Sequence, residues 1–302
     1  MTTALASDKL SVRTKLFYGI GDVGNALVNS AVQFFLLIFY TDAAPLPAAL
    51  VGSALLIGKI WDAVNDPLFG WFSDRVYSRR FGKRRTFMIF GAIPLGISIA
   101  LLWHVPAGLE QVGIFIWVAF TFILFDTLWT LTNVPYYSLS SELTEDYDER
   151  SSLTSFRMIL AVPAYIIGAA LTPAIVGLFA VKYTGYGFIG IAYGIIAAVA
   201  LLISASGLKE KQEIVENKSE ISPIEAIKFT FRNKPFVRLI TAYLLMNLSF
   251  AFIKTLMGVV EISQAIQRQV IILILFEGVL EREYLVQPTG EGELRRTGSS
   301  FL

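Results

Sequence analysis

The sequence predicts an all-α membrane protein, and three observations carry that prediction. Hydrophobic residues make up 55% of the 302 residues and charged residues only 16%, which is too apolar for a soluble chain of this length. The apolar residues gather in runs of about 20 or more, the length a helix needs to cross a hydrocarbon core. Lysine and arginine concentrate in alternate breaks between those runs.

Seven runs qualify as spans, at 16–40, 47–73, 86–105, 112–139, 153–181, 186–207 and 236–258. They are too long for barrel strands and lack strand alternation. Lys9, Arg13 and Lys15 precede the first run; Arg75, Arg79, Arg80, Lys83, Arg84 and Arg85 follow the second; Lys209, Lys211, Lys218, Lys228, Arg232 and Lys234 follow the sixth. All three groups fall on one side of the alternation. The opposite breaks hold Asp42, then His104 and Glu110, then Lys182. The N-terminus is therefore expected in the cytoplasm, with the chain multi-pass in the cell (inner) membrane. The acidic break at 142–150 does not disturb this, because acidic residues contribute little to orientation.

The expected organisation is a six-helix bundle over 1–207, a cytoplasmic linker over 208–235, a seventh span at 236–258 and an atypical polar tail at 259–302. Glu261, Gln264, Gln267, Arg268 and Gln269 interrupt the tail, and the apolar stretch at 270–280 is too short to cross. A frameshifted reading frame and a genuine soluble extension both fit such a tail. Residues 1–10 lack an apolar core followed by a small-residue cleavage site, so no removable signal peptide is expected.

Composition also excludes chemistry. Cysteine is absent and His104 is the single histidine, which removes disulfides, thiolate catalysis and multi-histidine metal sites. No nucleophile with a paired base is visible, so an enzyme is not expected. The net charge of +1 comes from loops between apolar runs and offers no basic stripe for nucleic acid.

Polar residues inside the spans carry the functional signal, because an ionised side chain at mid-bilayer costs roughly 2.5–3.5 kcal/mol on insertion scales. Asp62 and Asp66 lie four residues apart and share a helix face, with Asn65 between them and Lys59 one turn earlier. Two acids on one face repel unless a cation, a proton or Lys59 compensates. In the first span Tyr18, Asp22, Asn25, Asn29 and Gln33 form a single stripe. In the fourth, Asp126, Thr130, Asn133 and Tyr137 do the same. Arg157 in the fifth adds a fixed cation with bidentate geometry. Carboxylates suit a cation, while amides, a guanidinium and aromatic faces suit a polyhydroxylated solute. Gly19, Gly21, Gly24, Gly52 and Gly58 read as close-packing positions, and Trp103 and His104 as interfacial anchors. Gly82 and the arginines around it read as a topology signal that also clamps neighbouring helix ends.

The block Ile-Trp-Asp-Ala-Val-Asn-Asp-Pro at 60–67, with Gly70-Trp71 and the Ser-Arg-Arg-Phe-Gly-Lys-Arg-Arg loop at 78–85, resembles the glycoside-pentoside-hexuronide:cation symporters, the melibiose permease family. Tyr-Thr-Asp at 40–42, Asn-Val-Pro-Tyr-Tyr at 133–137 and Phe156-Arg157 fit the same pattern, so the resemblance covers about 12–258. It implies a major-facilitator fold, here a six-helix N-terminal bundle plus one further transmembrane helix, truncated after about seven helices. It further implies cation-coupled symport of a sugar by alternating access.

The resemblance implies a cation site of Asp62, Asn65, Asp66 and Thr130, to which Asn133 of the same helical stripe as Thr130 is added, supported by Lys59 where melibiose permease has an arginine. A substrate site follows from Asp22, Asn25, Asn29, Trp71, Asp126, Tyr137 and Arg157. No cofactor is expected beyond a coupling Na+ or H+. Asn25, Ala26 and Asn133 replace a lysine, an aspartate and a second aspartate of melibiose permease, so the resemblance does not extend to melibiose itself, and other glycosides, pentoses or hexuronides are the expected substrates. The expected partners are a sugar, the bilayer and the missing C-terminal helices or a second half. The alternative reading is an inactive fragment or a half-transporter partner with no transport of its own. A lysolipid carrier on the same scaffold is a third reading.

Overall fold

The computed structural model describes residues 9–73, 75–76, 78, 80–210 and 231–259. The helices are α1 (Val12–Ile38), continued by a π-helical turn (Phe39–Ala43), then α2 (Ala48–Ser73), α3 (Arg84–Leu102), α4 (Gln111–Leu143), α5 (Tyr147–Gly177), α6 (Lys182–Gly207) and α7 (Lys234–Val259). Among the described residues the only extended pairing is an isolated bridge between Ser78 and Gly82. The helices α1 to α6 are each long and apolar enough to cross a membrane, so the chain is an all-α, multi-pass membrane protein.

Local chemistry sets the helix starts. The α1 helix begins a turn earlier than its apolar run because the Ser11 hydroxyl accepts the Thr14 backbone N–H at 3.1 Å. Asp146 caps α5 likewise, accepting from the Glu149 N–H at 2.9 Å, with Asp148 and Glu149 in a first turn that favours negative charge.

Order along the chain is not order in space. Neighbours run α5, α1, α6, α3, α4, α2, while α1 with α2 and α4 with α5 barely touch. The tight contacts occur at small residues. A Cβ on Gly24 of α1 would sit 2.4 Å from the Ala197 Cα of α6, and one on Gly194 of α6 would sit 2.4 Å from the Gly96 carbonyl oxygen of α3. Gly19 and Gly21 are similarly close to neighbours, whereas Gly52 faces open space and has no packing role. Phe90, Ile93, Val112, Ile116, Ile159 and Ile195 point outward, which gives the bundle an apolar rim suited to lipid.

Two sets of contacts tie the helix ends. At one end Lys15 of α1 pairs with Glu149 of α5 at 2.9 Å, and Arg84 of α3 pairs with Glu142 of α4 at 2.8 Å. There Glu210, just past α6, also accepts the backbone N–H groups of Lys83 at 2.6 Å, Arg84 at 2.9 Å and Arg85. At the other end the Tyr40 hydroxyl donates to the Leu102 carbonyl at 2.6 Å and the Tyr183 hydroxyl to the Val105 carbonyl at 2.6 Å. Trp103 belongs to this second end but is no surface anchor. It is fully buried and stacks on Tyr186 at 5.5 Å, because Gly190 leaves room for its ring. His104 beside it is exposed.

The chain divides into two compact units, 1–218 and 219–302. The α7 helix belongs to the second and is described by itself. Most of the expected linker at 208–235, the tail from 260 onward and Arg79 lie outside the described residues.

Candidate functional site

Two clusters of polar side chains share α4. The first lies between α2 and α4. Asp66, exposed on α2, accepts the Thr130 hydroxyl at 2.8 Å. The Lys59 ammonium lies 3.1 Å from Asp62 Oδ2 and 3.6 Å from Asp126 Oδ1, and so reaches from α2 across to α4. Trp61 Nε1 donates to Thr127 Oγ1 at 2.9 Å and pins the same interface. Asn65 is completely buried, and neither its amide nitrogen nor its oxygen has a hydrogen-bond partner among the described residues. The second oxygen of Asp126 is likewise buried and unpaired. Orphaned polar atoms of this kind cost about 1–3 kcal/mol each, and they lie on the two helices that carry the acids. Pro67 adds one more free group, since its missing N–H leaves the Ala63 carbonyl, between Asp62 and Asp66, without its helical donor.

The second cluster lies among α1, α4 and α5. Asp22 is buried; its Oδ2 is 3.5 Å from Arg157 Nε, and its Oδ1 accepts the Tyr137 hydroxyl at 3.3 Å. The guanidinium of Arg157 stands 5.0 Å from the centre of the Tyr137 ring. Asn25 donates to Asn133 Oδ1, and Asn133 Nδ2 donates to the Trp129 carbonyl at 3.1 Å. Tyr18 and Tyr136 stack at 4.9 Å behind this group, with the Tyr136 hydroxyl on the Tyr18 carbonyl at 2.6 Å.

The structure thus pairs Thr130 with Asp66, and Lys59 links Asp62 to Asp126, which is expected among the substrate residues. It puts Asn133, read as a cation ligand, beside Asn25 instead. Asn29 is exposed on α1, one turn beyond Asn25. Trp71 joins neither cluster. It sits at the end of α2 beneath the Arg75 guanidinium, 3.6 Å from its ring centre, and its carbonyl accepts from Arg75 at 3.2 Å. Among the described residues no three His, Cys, Asp or Glu side chains converge as a metal-binding set. A bound ion here would have to draw on amide, hydroxyl and carbonyl oxygens as well as carboxylates.

Residues 17–258 match the family model described as MFS/sugar transport protein. The chain belongs to that family. Its relatives are named symporters, among them a putative glycoside/cation symporter. An uncharacterized symporter of Synechocystis sp. is 39% identical over 217 residues, covering 70% of this chain and 40% of the relative. The putative glycoside/cation symporter YagG of Escherichia coli is 39% identical over 153 residues, 51% of this chain and 33% of the relative. The sodium-dependent lysophosphatidylcholine symporter 1 of Xenopus tropicalis is 29% identical over 281 residues, 82% of this chain and 53% of the relative. The chain spans about half the length, or less, of these curated relatives. The family match covers every residue of both clusters.

Proposed function

We propose that this chain provides the coupling-cation site and one wall of the substrate site in a cation-coupled symporter of a glycoside, pentose or hexuronide. The observation that carries the proposal is the α2–α4 cluster. Asp62 and Asp66 share a face, Thr130 bonds Asp66, and beside them the buried Asn65 amide has no partner for either polar atom among the described residues. These are hard oxygen donors suited to Na+, and the same two acids serve a proton equally well. Asp126 is read with this cluster through Lys59, and Asn133 with the substrate group.

The substrate wall is Asp22, Asn25, Asn133, Tyr137 and Arg157, with Asn29 at its edge. Arg157 already faces Asp22, so the pair offers one donor fork and one acceptor carboxylate side by side, a match for adjacent hydroxyls. The mechanism is linkage. The cation neutralises the acids, the neutralised site favours sugar, and the loaded cavity reorients by rocking against a second bundle. The orientation follows the basic loops, with the N-terminus in the cytoplasm.

Binding of 4-nitrophenyl glycosides, xylose and glucuronate to the purified chain in nanodiscs, at varied Na+ and pH, tests this. One of these sugars is expected to bind about 5–150-fold tighter with the coupling cation, and Asp62→Asn is expected to remove that dependence. Cation dependence that persists in Asp62→Asn would falsify the assignment. Uptake in vesicles then separates a working transporter from a binding-only half. Relatives named for lysophosphatidylcholine support a second reading with a lysolipid as cargo, and cation-dependent binding of lysophosphatidylcholine in place of every sugar selects it.

A further inference from the structure

We propose that Lys59 is a tethered competitor for the coupling cation. Its ammonium holds the acid cluster when no cation is bound and leaves when one arrives. This rests on the reading of Asp62 and Asp66 as the cation's acids. The geometry supplies the rest. Lys59 Nζ is 3.1 Å from Asp62 and 3.6 Å from Asp126, so a single positive charge serves carboxylates on both α2 and α4.

The two ends of that bridge differ in freedom. The Lys59 side chain is 60% exposed, whereas that of Asp126 is 6% exposed. The lysine can therefore swing out by changing rotamers, with no disturbance of packed residues. Asp126 cannot follow it out of the bundle. Its second oxygen is already buried without a partner among the described residues, and losing Lys59 would leave an uncompensated buried carboxylate, which is strongly unfavourable. Departure of the lysine and arrival of a cation are consequently coupled in the same step. The Phe122 ring, one turn before Asp126, lies 5.9 Å from the ammonium while it holds the acids, within reach of cation–π attraction. An ammonium on a flexible stem is a compact point charge, the side chain closest in character to an alkali ion.

The exchange also moves a helix contact. The bond to Asp62 stays within α2, while the bond to Asp126 crosses to α4. Cation binding thus exchanges a covalently tethered α2–α4 bridge for a soluble one, and the protein's own lysine sets how much cation is needed.

Titration of the full chain in nanodiscs with 22Na+, and with Na+ or Li+ against choline in thermal unfolding, tests this. Lys59→Met is expected to tighten apparent Na+ binding at least about tenfold. Lys59→Gln should move it the same way, and Lys59→Arg, which keeps the charge, should stay within about threefold of wild type. Unchanged or weaker Na+ binding in both neutral variants, with binding still lost in Asp62→Asn, overturns the competitor alone. Absence of Na+ and Li+ binding from wild type and variants alike, or binding that survives Asp62→Asn, overturns the cation site and this proposal with it.

Discussion

Asn65 is the residue whose surroundings ask most for an explanation. An asparagine at full burial with donor and acceptor both unpaired is destabilising by about 1–3 kcal/mol. A cation coordinated by the side-chain carbonyl oxygen relieves the acceptor's share of that cost. Asn65→Leu, similar in shape and without polar atoms, is therefore expected to stabilise the cation-free chain by about 1–3 kcal/mol. The same substitution should abolish the stabilisation that Na+ gives to wild type. Thermal unfolding with and without Na+ reads both quantities, and a destabilised Asn65→Leu that still responds to Na+ refutes the assignment. At this scale much was legible. The spacing of Asp62 and Asp66 announced a shared face because two like charges four residues apart in an apolar helix need a reason. The allotment of Asp126 and Asn133 was not legible. A helical stripe fixes the direction of a side chain around its own axis but not which neighbouring helix lies opposite. The α4 stripe faces α2 at Asp126 and Thr130 and faces α1 at Asn133, so one stripe serves two clusters.

Helix existence was legible from apolar run length, and helix ends were less so, because caps are made by single polar groups. Ser11 and Asp146 could be read as caps from their type and position. Glu210 could not, since it caps a helix that starts more than a hundred residues earlier in the chain. Its carboxylate accepts three consecutive N–H groups at the start of α3, where the helix dipole favours negative charge. Gly82 makes room for it, with φ of 86° and a would-be Cβ only 2.2 Å from Glu210 Oε2. Glu210→Ala is expected to destabilise the bundle by about 1–2 kcal/mol, and Glu210→Gln by less, because an amide oxygen still accepts. Trypsin cleavage at Lys83, Arg84 and Arg85 should accelerate in the same order. Equal cleavage rates in all three proteins would show that the cap does not hold the loop. Trp103 illustrates the opposite limit of sequence reading. A tryptophan near a span's end is usually an anchor, but Gly190 on a distant helix opens a pocket that only the folded bundle reveals.

The whole bundle has two chemically different ends, and the contacts between helices assign each described loop to one of them. The end joined by Lys15 with Glu149, Arg84 with Glu142, and Glu210 with the start of α3 carries Lys9, Arg13, Arg75, Arg80, Lys83, Arg85 and Lys209 besides. The end joined by Tyr40 with Leu102 and Tyr183 with Val105 carries Lys182 and His104. By the positive-inside rule such asymmetry favours the orientation proposed above, with the basic end in the cytoplasm. Because the chain has no cysteine, a single introduced thiol reports its own side without background. Glu145, exposed between α4 and α5 at the basic end, and Leu178, 82% exposed between α5 and α6 at the other, are suitable positions. Neither substitution removes a basic residue, so the orientation signal stays intact. A membrane-impermeant maleimide added to intact cells is expected to label Leu178→Cys fully and Glu145→Cys only after the membrane is opened. In inverted vesicles the order should reverse. Labelling of Glu145→Cys from outside intact cells would turn the bundle over and place the acid cluster's basic loop on the wrong side for an N-terminus in the cytoplasm.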